Sequence, residues 1–171
     1  MDERLFEYEG KIYPDYIRRG RAADFIIPFA SMFCVGDGLD IGGTRECSFL
    51  GAKAINTIFN DGFHATNLPP GKYDYIFSSH CLEHIENYLE TLLYWREHLR
   101  EGGVLFLYLP HPDIVYWWPS NCKKHEWIFS PGQIVLALKV LGFKDIICSE
   151  RDLFWSFAVV AIKDEDTGGK N

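Results

Sequence analysis

The sequence predicts an α/β fold built on a doubly wound sheet that is mostly parallel and has an antiparallel C-terminal strand. Apolar runs of strand length alternate with stretches of helical periodicity, which is typical of this fold class. A glycine pair, Gly42-Gly43, follows the first of these runs. The last run, over residues 153–162, is apolar on both alternating faces, as in a strand inside a sheet that helices cover.

The predicted strands are short and follow one another along the whole chain. They lie over residues 39–41, 52–57, 73–78, 104–109, 143–148 and 153–162. Only a short link separates the last two, which predicts an antiparallel pair at one end of the sheet. The sequence contains neither a repeat nor an interdomain linker, so we expect one domain over residues 37–163.

The N-terminal part is predicted to be helical. Residues 14–33 begin with Pro14, which suits the first turn of a helix. Gly20 and Pro28 lie within this stretch and predict a kink or two short helices. We therefore expect residues 1–36 to form an N-terminal helical segment that packs on the core.

Two further helices are expected in the second half. Residues 86–100 carry apolar side chains at helical spacing, and Gly102-Gly103 is expected to end that helix. Ser130-Pro131-Gly132-Gln133 predicts a capping-box start with proline at the first helical position, and Gly142 is expected to stop the helix. The polar residues 164–171 are predicted to form a disordered tail.

Composition argues against several functional classes. The chain has 171 residues and a net charge of −7, without the basic surplus typical of a protein whose main partner is a nucleic acid. Its five cysteines include no C-x-x-C pair, so they indicate reduced thiols rather than a disulfide framework. Neither a signal peptide nor a membrane-length apolar run is visible. We expect a cytoplasmic protein, and the oligomeric state stays open.

Three segments, in order, resemble motifs of class I S-adenosylmethionine (SAM)-dependent methyltransferases, especially the methyltransferase type 11 group. They are residues 38–44 (GLDIGGT), 73–84 (YDYIFSSHCLEH) and 99–105 (LREGGVL). Residues 125–131 and 141–143 also fit the C-terminal half of that group, and the similarity spans roughly residues 37–162. The resemblance implies a Rossmann-like sheet and methyl transfer from SAM to a small-molecule or sugar-type acceptor.

The resemblance also implies a cofactor site at the carboxyl ends of the strands, where ligands bind in open α/β sheets. Glycines at such an end let the backbone approach the cofactor closely. The implied cofactor-binding residues are Asp40, Gly42, Gly43, Thr44, Asn56, Asn67, Leu68, Ser79 and His80. Asp40 is expected either to accept hydrogen bonds from loop amides or to lie near the cofactor's ammonium group.

The chain departs from the family pattern at several positions. Thr44 and Glu46 stand where the family has more glycine, and Asn56 stands where the second strand normally ends in an acidic residue. An amide binds the ribose hydroxyls without charge assistance, so its hydrogen bond is weaker. The stretch over residues 43–73 is short, which predicts a sheet shortened between the family's first and fourth strands, with the intervening helix reduced or missing.

Histidines are the candidate catalytic residues. If the acceptor is a hydroxyl, a base helps to remove its proton, and His80, His111 and His125 are the candidates in that order. The segment over residues 111–129 is long for a loop in a small domain and is rich in aromatic residues. We predict that it provides an acceptor pocket or lid through Tyr116, Trp117, Trp118 and Trp127; the alternative is that these aromatic side chains pack under the loop as a small satellite core.

Two other functions stay open. The degenerate cofactor motifs are compatible with a SAM-binding, non-catalytic module derived from a methyltransferase. Residues 80–84 match H-x-x-E-H, the pattern of zinc hydrolases in which two histidines lie one turn apart on one helix. His80 directly follows a predicted strand, so we favour the methyltransferase interpretation, in which Glu83 and His84 are structural and no metal ligand is assigned.

Overall fold

The computed structural model describes residues 4–44, 49 and 51–164. Glu46 in the first sheet loop lies outside these residues, and so does the predicted tail from residue 165 onward. Asp164, the first residue of that predicted tail, forms an ion pair with Lys144 at 2.8 Å.

Within residues 4–44 and 51–164, six strands form the main sheet and two more form a separate hairpin. The strands are β1 (Leu5–Tyr8), β2 (Lys11–Pro14), β3 (Gly38–Ile41), β4 (Lys53–Ile55), β5 (Tyr73–Ser79), β6 (Leu99–Pro110), β7 (Phe143–Cys148) and β8 (Ser156–Lys163). The main sheet has the order β4-β3-β5-β6-β8-β7. Strands β3 to β6 are parallel, whereas β8 is antiparallel to both β6 and β7, which confirms the predicted fold class.

The expected shortening is also confirmed. Within the described ranges, β4 is the edge strand of the sheet, and the connection to β5 contains only a single-turn 3-10 helix over Thr57–Phe59. Strand β4 is shorter than predicted because the Asn56 side chain accepts a hydrogen bond from Ile58 N at 3.2 Å and caps that helix.

The described residues form three α-helices: α1 (Ala23–Ala30), α2 (Tyr88–His98) and α3 (Pro131–Val140). The predicted capping box of α3 is confirmed, because Ser130 and Gln133 exchange side-chain to backbone hydrogen bonds in both directions. Gly142 follows this helix with a φ of +79°, a conformation that favours glycine. None of the helices in the described part of the chain is long and apolar enough to cross a membrane.

The prediction that the second helix runs to Arg100 is wrong. Helix α2 ends at His98, and Leu99 is fully buried and pairs with Tyr73 as the first residue of β6. Gly102 and Gly103, which were predicted to end the helix, therefore lie inside an irregular start of β6. A Cβ atom on Gly103 would lie 2.8 Å from the carbonyl oxygen of Arg100, so only glycine fits this bend.

The N-terminal segment is only partly helical. Strands β1 and β2 form an antiparallel hairpin whose two turn residues, Glu9 and Gly10, have φ values of +48° and +72°. Pro14 therefore ends a strand instead of starting a helix. Two short helices follow as predicted, a 3-10 helix over Asp15–Arg19 and then α1.

The sheet is covered on both faces. Ile76, Leu105 and Leu107 belong to the core cluster that includes residues of α2 and α3. Phe77 and Phe106 belong to the cluster that includes residues of the hairpin and α1. Because adjacent residues of a strand point to opposite faces, this alternation explains why the central strands are apolar throughout.

The C-terminal strand begins at Ser156, three residues later than the predicted start. One Asp152 carboxylate oxygen accepts hydrogen bonds from Phe154 N and Ser156 N, both at 2.9 Å, and Trp155 has a φ of +57°. This turn keeps residues 153–155 out of the strand and points Ser156 towards the carboxyl end of β5.

Candidate active site

Three neighbouring cavities lie at the carboxyl ends of β3, β4 and β5. The glycine cavity, about 340 Å³, is lined by Asp40, Gly42, Gly43, Thr44 and Ser79 together with the start of α1. The asparagine cavity, about 640 Å³, is lined by Gly42, Ile55, Asn56, His64 and His84. The histidine cavity, about 490 Å³, is lined by Tyr8, Arg18, Glu83, His84, Tyr116, Trp117, Asn121, Lys124 and His125.

His80 lines all three cavities. It follows β5 directly and adopts a φ of +48°, while its N–H donates to the Tyr108 carbonyl at 2.9 Å. This left-handed conformation is uncommon for a residue other than glycine, and such residues occur in turns and cluster at functional sites. Here it turns the imidazole out of the strand and into the space where the three cavities meet.

The surroundings of His80 determine which ring nitrogen carries the proton. Its Nε2 lies 2.9 Å from Ser156 Oγ, and that hydroxyl donates its own hydrogen to the Phe154 carbonyl at 3.3 Å. With the hydroxyl oriented in this way, Nε2 carries the proton and the Nδ1 lone pair faces Glu83, 3.7 Å away. Burial, and then the nearby His125 and His84, lower the pKa of His80 to about 3, so the ring is neutral at physiological pH.

Asp40 stabilises the glycine loop through a hydrogen bond and through close packing against Gly43. One of its carboxylate oxygens accepts a hydrogen bond from Phe49 N at 2.7 Å, and burial raises its pKa to about 6 although that bond opposes the shift. A Cβ on Gly43 would lie 2.3 Å from the same carboxylate, so glycine is required next to this aspartate. Gly42 has a φ of +92°, which also favours glycine.

Asn56 joins β4 to the glycine loop. Its Nδ2 donates to the Gly42 carbonyl at 3.0 Å, and its Oδ1 accepts from Ile58 N. The side chain lines the asparagine cavity, at the position where the family carries an acidic residue. A carboxylate could not donate to the Gly42 carbonyl, so the amide has a structural reason to stand here.

The other predicted cofactor residues fall into two groups. Thr44 and Ser79 line the glycine cavity, and the buried Ser79 hydroxyl has no hydrogen-bond partner among the described residues. Asn67 and Leu68 line none of the three cavities. Asn67 donates to the Gly62 carbonyl at 2.7 Å, whereas Leu68 is buried in the core and its N–H donates to the Tyr94 hydroxyl.

Of the other candidate bases, only His125 reaches the site. It lines the histidine cavity, and burial together with the neighbouring His84 lowers its pKa to about 4. His111 lies at the end of β6, where its Nδ1 accepts from Asp113 N at 3.2 Å. It lines a space of only about 10 Å³ among packed aromatic side chains, outside the three cavities.

Of the four residues that were predicted to bind the methyl acceptor, two line the histidine cavity and two do not. Tyr116 and Trp117 line the histidine cavity, and the Trp117 ring meets the His80 ring edge to face at 4.8 Å. Trp118 and Trp127 do not line it. Their indole N–H groups donate to backbone carbonyls, that of Trp118 to Pro112 and that of Trp127 to Ile85 and Glu86.

Several residues that the sequence pattern did not assign to the site also line the histidine cavity. Glu83 and His84 were assigned structural roles, yet both line this space. Tyr8 enters from the hairpin, whose signal was the Glu9-Gly10 turn between two alternating apolar segments. Arg18 lines the cavity as well, but its guanidinium is paired with Asp15 and lies over the Phe6 ring, 4.2 Å from the centroid.

The zinc-hydrolase interpretation of residues 80–84 is wrong. That pattern requires both histidines on one face of a helix. Instead, His80 ends the turn after β5 and Leu82–His84 form a single 3-10 turn. The Nε2 atom of His80 faces Ser156, so the two histidines do not form the ligand pair of that hydrolase class.

Comparison with known structures finds methyltransferases at low sequence identity. A SAM-dependent methyltransferase from Archaeoglobus fulgidus is 17% identical with a TM-score of 0.64, over 87% of this chain and 97% of that chain. A chain from the complex of the Haloferax volcanii Trm112 methyltransferase activator with a proposed methyltransferase is 10% identical with a TM-score of 0.67, over 87% and 91%. Phosphoethanolamine N-methyltransferase 2 from Haemonchus contortus, bound to phosphomonomethylethanolamine and S-adenosylhomocysteine, is 15% identical with a TM-score of 0.59, over 85% and 53%.

No curated protein matches the sequence. A family model described as a methyltransferase domain, however, matches residues 15–147, which is most of the chain. This range contains the glycine loop, His80 and the whole histidine cavity apart from Tyr8. The chain therefore belongs to the methyltransferase domain family, and its fold is that of the class I SAM-dependent methyltransferases.

Proposed function

We propose that this chain is a SAM-dependent methyltransferase that acts on a small-molecule or sugar-type acceptor. The observation that carries the proposal is the position of His80, which lines two cavities that adjoin the glycine loop and a third that does not. A methyl group must pass from a donor to an acceptor held in line with it. The meeting point of these cavities offers such a place.

The residues of the glycine and asparagine cavities fit the cofactor. Gly42 borders both cavities, and a Cβ on Gly42 or Gly43 would overlap Cys81 or Asp40, so packing within the protein requires glycine at both positions of this loop. Ser79 presents a hydroxyl without a partner among the described residues on the same side. In this proposal the ribose lies against Asn56 in the asparagine cavity, and the glycine loop with Ser79 holds the amino-acid end, while Asp40 and Asn56 keep that loop in shape through their hydrogen bonds.

The histidine cavity is the proposed acceptor site. Tyr116 and Trp117 give it an aromatic wall, and Asn121 and Lys124 add hydrogen-bond donors at its border. Aromatic side chains pack against the apolar faces of ring compounds, while donors bind their hydroxyl groups. This combination favours a hydroxylated ring or a sugar as the acceptor.

When bound, SAM supplies a methyl group activated by its sulfonium centre. The protein contributes orientation and exclusion of water, which account for much of the acceleration in such displacements. His80 Nδ1 accepts a hydrogen bond from an acceptor hydroxyl and so orients its oxygen. Because burial holds the pKa of His80 near 3, the imidazole is a weak proton acceptor, and orientation is its main contribution.

Thermal unfolding with and without S-adenosylhomocysteine tests the proposal. At one hundred times its dissociation constant a ligand stabilises by about 2.7 kcal/mol, which raises the midpoint by about 5–10 °C for a chain of this size. We expect a saturable rise with S-adenosylhomocysteine and none with NAD. No rise at millimolar concentration would overturn the proposal.

Turnover then separates the enzyme from the non-catalytic alternative. Radioactive methyl transfer from SAM is measured across a panel of hydroxylated aromatic compounds and sugars, with His80→Asn as the matched variant because asparagine tolerates the left-handed backbone. We expect His80→Asn to keep the S-adenosylhomocysteine response and to lose about 10–100-fold of the turnover. Cofactor binding without turnover on any compound would favour the non-catalytic module.

A further inference from the structure

Glu83 has a fully buried carboxyl group at the wall of the histidine cavity. Its side chain is 0% exposed, and neither carboxylate oxygen has a hydrogen-bond partner among the described residues. Burying a carboxyl group in this state is costly, and native proteins almost always satisfy such a group with a donor, a water or a metal ion. Glu83 also lines the histidine cavity, so a group bound in that cavity would lie beside it.

His84 offers a metal-binding nitrogen beside this carboxylate. Its Nδ1 lies 2.7 Å from the Lys124 carbonyl, which can only accept, so Nδ1 carries the proton. The Nε2 lone pair is therefore available, and it lies 4.0 Å from Glu83 Oε1. Metal-binding histidines typically donate their other N–H group to a carbonyl or carboxylate in this way, which fixes the ring orientation.

His125 completes the group from a distant part of the sequence. Its Nδ1 is buried and has no hydrogen-bond partner in the described part of the chain. The His125 and His84 rings lie 4.6 Å apart and nearly perpendicular. Two backbone bonds hold this arrangement, because Glu126 N and Trp127 N both donate to the Glu83 carbonyl, at 2.8 and 3.2 Å.

We propose that Glu83, His84 and His125 bind one divalent metal ion of the zinc class. One ligand atom from each residue lies within 4.8 Å of the other two. Ligands at about 2.0–2.2 Å from a tetrahedral zinc ion are about 3.5 Å apart, so a small inward movement of the side chains closes the site. Two imidazoles with one carboxylate form a donor set typical of zinc and of related first-row ions.

The donor set also leaves coordination positions open. Three protein ligands leave at least a fourth position for water or a substrate oxygen. The same three residues line the histidine cavity, so this position faces the space assigned to the acceptor. On the basis of the proposed function, the ion would hold an acceptor oxygen, which favours acceptors with a hydroxyl or carboxylate group.

Zinc titration of the metal-free protein tests the site directly. Isothermal calorimetry with Zn²⁺ is combined with Co²⁺ absorption, which reports tetrahedral nitrogen and oxygen ligands. His84→Ala is the main variant because His84 is partly exposed, with 35% of its side chain accessible, so the change is compatible with folding. Glu83→Gln is the second variant, and His98→Ala, on α2 and outside the cavity, is the matched histidine control.

We expect one ion per chain in the wild type and in His98→Ala, and at least tenfold weaker binding in His84→Ala and Glu83→Gln. The absence of stoichiometric binding to the wild type would overturn the proposal. Equal affinity in His84→Ala and His98→Ala would overturn it as well, since the ion would then bind elsewhere.

The S-adenosylhomocysteine response is measured on the same metal-free samples. Metal binding without this response leaves the metal site standing and removes the proposed methyltransferase function. The response without metal binding does the reverse, so the two failures are distinguishable.

Discussion

The glycine cavity and the histidine cavity meet at His80. They differ in whether the protein itself provides hydrogen bonds to most of the buried polar groups around them. In the first, the Asp40 carboxylate accepts a loop amide. Asn56, at the neighbouring strand end, both donates to and accepts from backbone groups. In the second, Glu83 and the Nδ1 of His125 have no hydrogen-bond partner among the described residues.

The difference separates two kinds of polar residue at a strand end. Asp40 and Asn56 maintain the shape of the loop that a ligand approaches, and the protein itself satisfies them. Glu83 and His125 are available to bind a group from outside the chain, because no described residue forms a hydrogen bond with the Glu83 carboxyl oxygens or with His125 Nδ1. The Ser79 hydroxyl, at the border of the glycine cavity, belongs to the second kind.

The largest expected effect concerns the charge of Asp40. Burial raises its pKa from 3.8 to about 6, so its ionisation destabilises the folded state as pH rises from about 4 to about 6. Asp40→Asn keeps an acceptor for Phe49 N and removes the charge. We expect the variant to be more stable than the wild type by about 3 kcal/mol at pH 8, and nearly equal to it at pH 4.

Urea unfolding at several pH values measures this difference. Comparing the variant with the wild type at each pH cancels the contributions of other titrating groups. If the difference in free energy of unfolding were the same at pH 4 and pH 8, burial would not raise the pKa of Asp40, and the prediction would be wrong.

A smaller effect is expected for Gly43→Ala. The new Cβ would overlap the Asp40 carboxylate, which cannot move away because it is buried and bonded to Phe49. We expect a loss of about 1–3 kcal/mol in the free energy of unfolding and a reduced thermal response to S-adenosylhomocysteine. The matched control is Gly132→Ala, because no atom lies within 4 Å of a Cβ at that position. Equal behaviour of the two alanine variants would show that the glycine loop tolerates a side chain.

The smallest effect compares two adjacent tryptophans. Trp117 lines both the glycine and the histidine cavity, whereas Trp118 is 37% exposed and lines neither. We expect Trp117→Leu to weaken S-adenosylhomocysteine binding about tenfold, or about 1.4 kcal/mol, and Trp118→Leu to change it less than about twofold. Calorimetric titration of both variants measures this. A larger loss of affinity in Trp118→Leu than in Trp117→Leu would show that Trp118, and not Trp117, forms the aromatic wall of the site.

Much of the fold could be predicted because it rests on local patterns. Period-two and helical spacing located the strands of the main sheet and helices α2 and α3, and the capping box at Ser130 marked the start of α3 correctly. The errors arose where tertiary contacts outweigh local preference. Leu99 leaves the helix because its buried position pairs it with Tyr73, and the N-terminal hairpin is held by aromatic contacts such as Tyr8 with Tyr116.

The sequence predicted well only the part of the candidate site whose residues are close together in the chain. The glycine loop was recognisable because Asp40, Gly42 and Gly43 are neighbours in the chain and at the site. The histidine cavity was recognised in part, through His80, Tyr116 and Trp117. Glu83 and His84 looked structural because nothing nearby in the sequence indicates that they face His125.

The sequence by itself determined the fold class, the glycine loop and the position of His80 after a central strand. These features follow from residue spacing and from the steric freedom of glycine, which act over a few residues. The tertiary structure alone decided which aromatic residues face the cavity and that a carboxylate and two imidazoles converge there. Convergence depends on how residues 83 and 125, about forty positions apart, are joined through the Glu83 carbonyl, and spacing along the chain carries no information about such a contact.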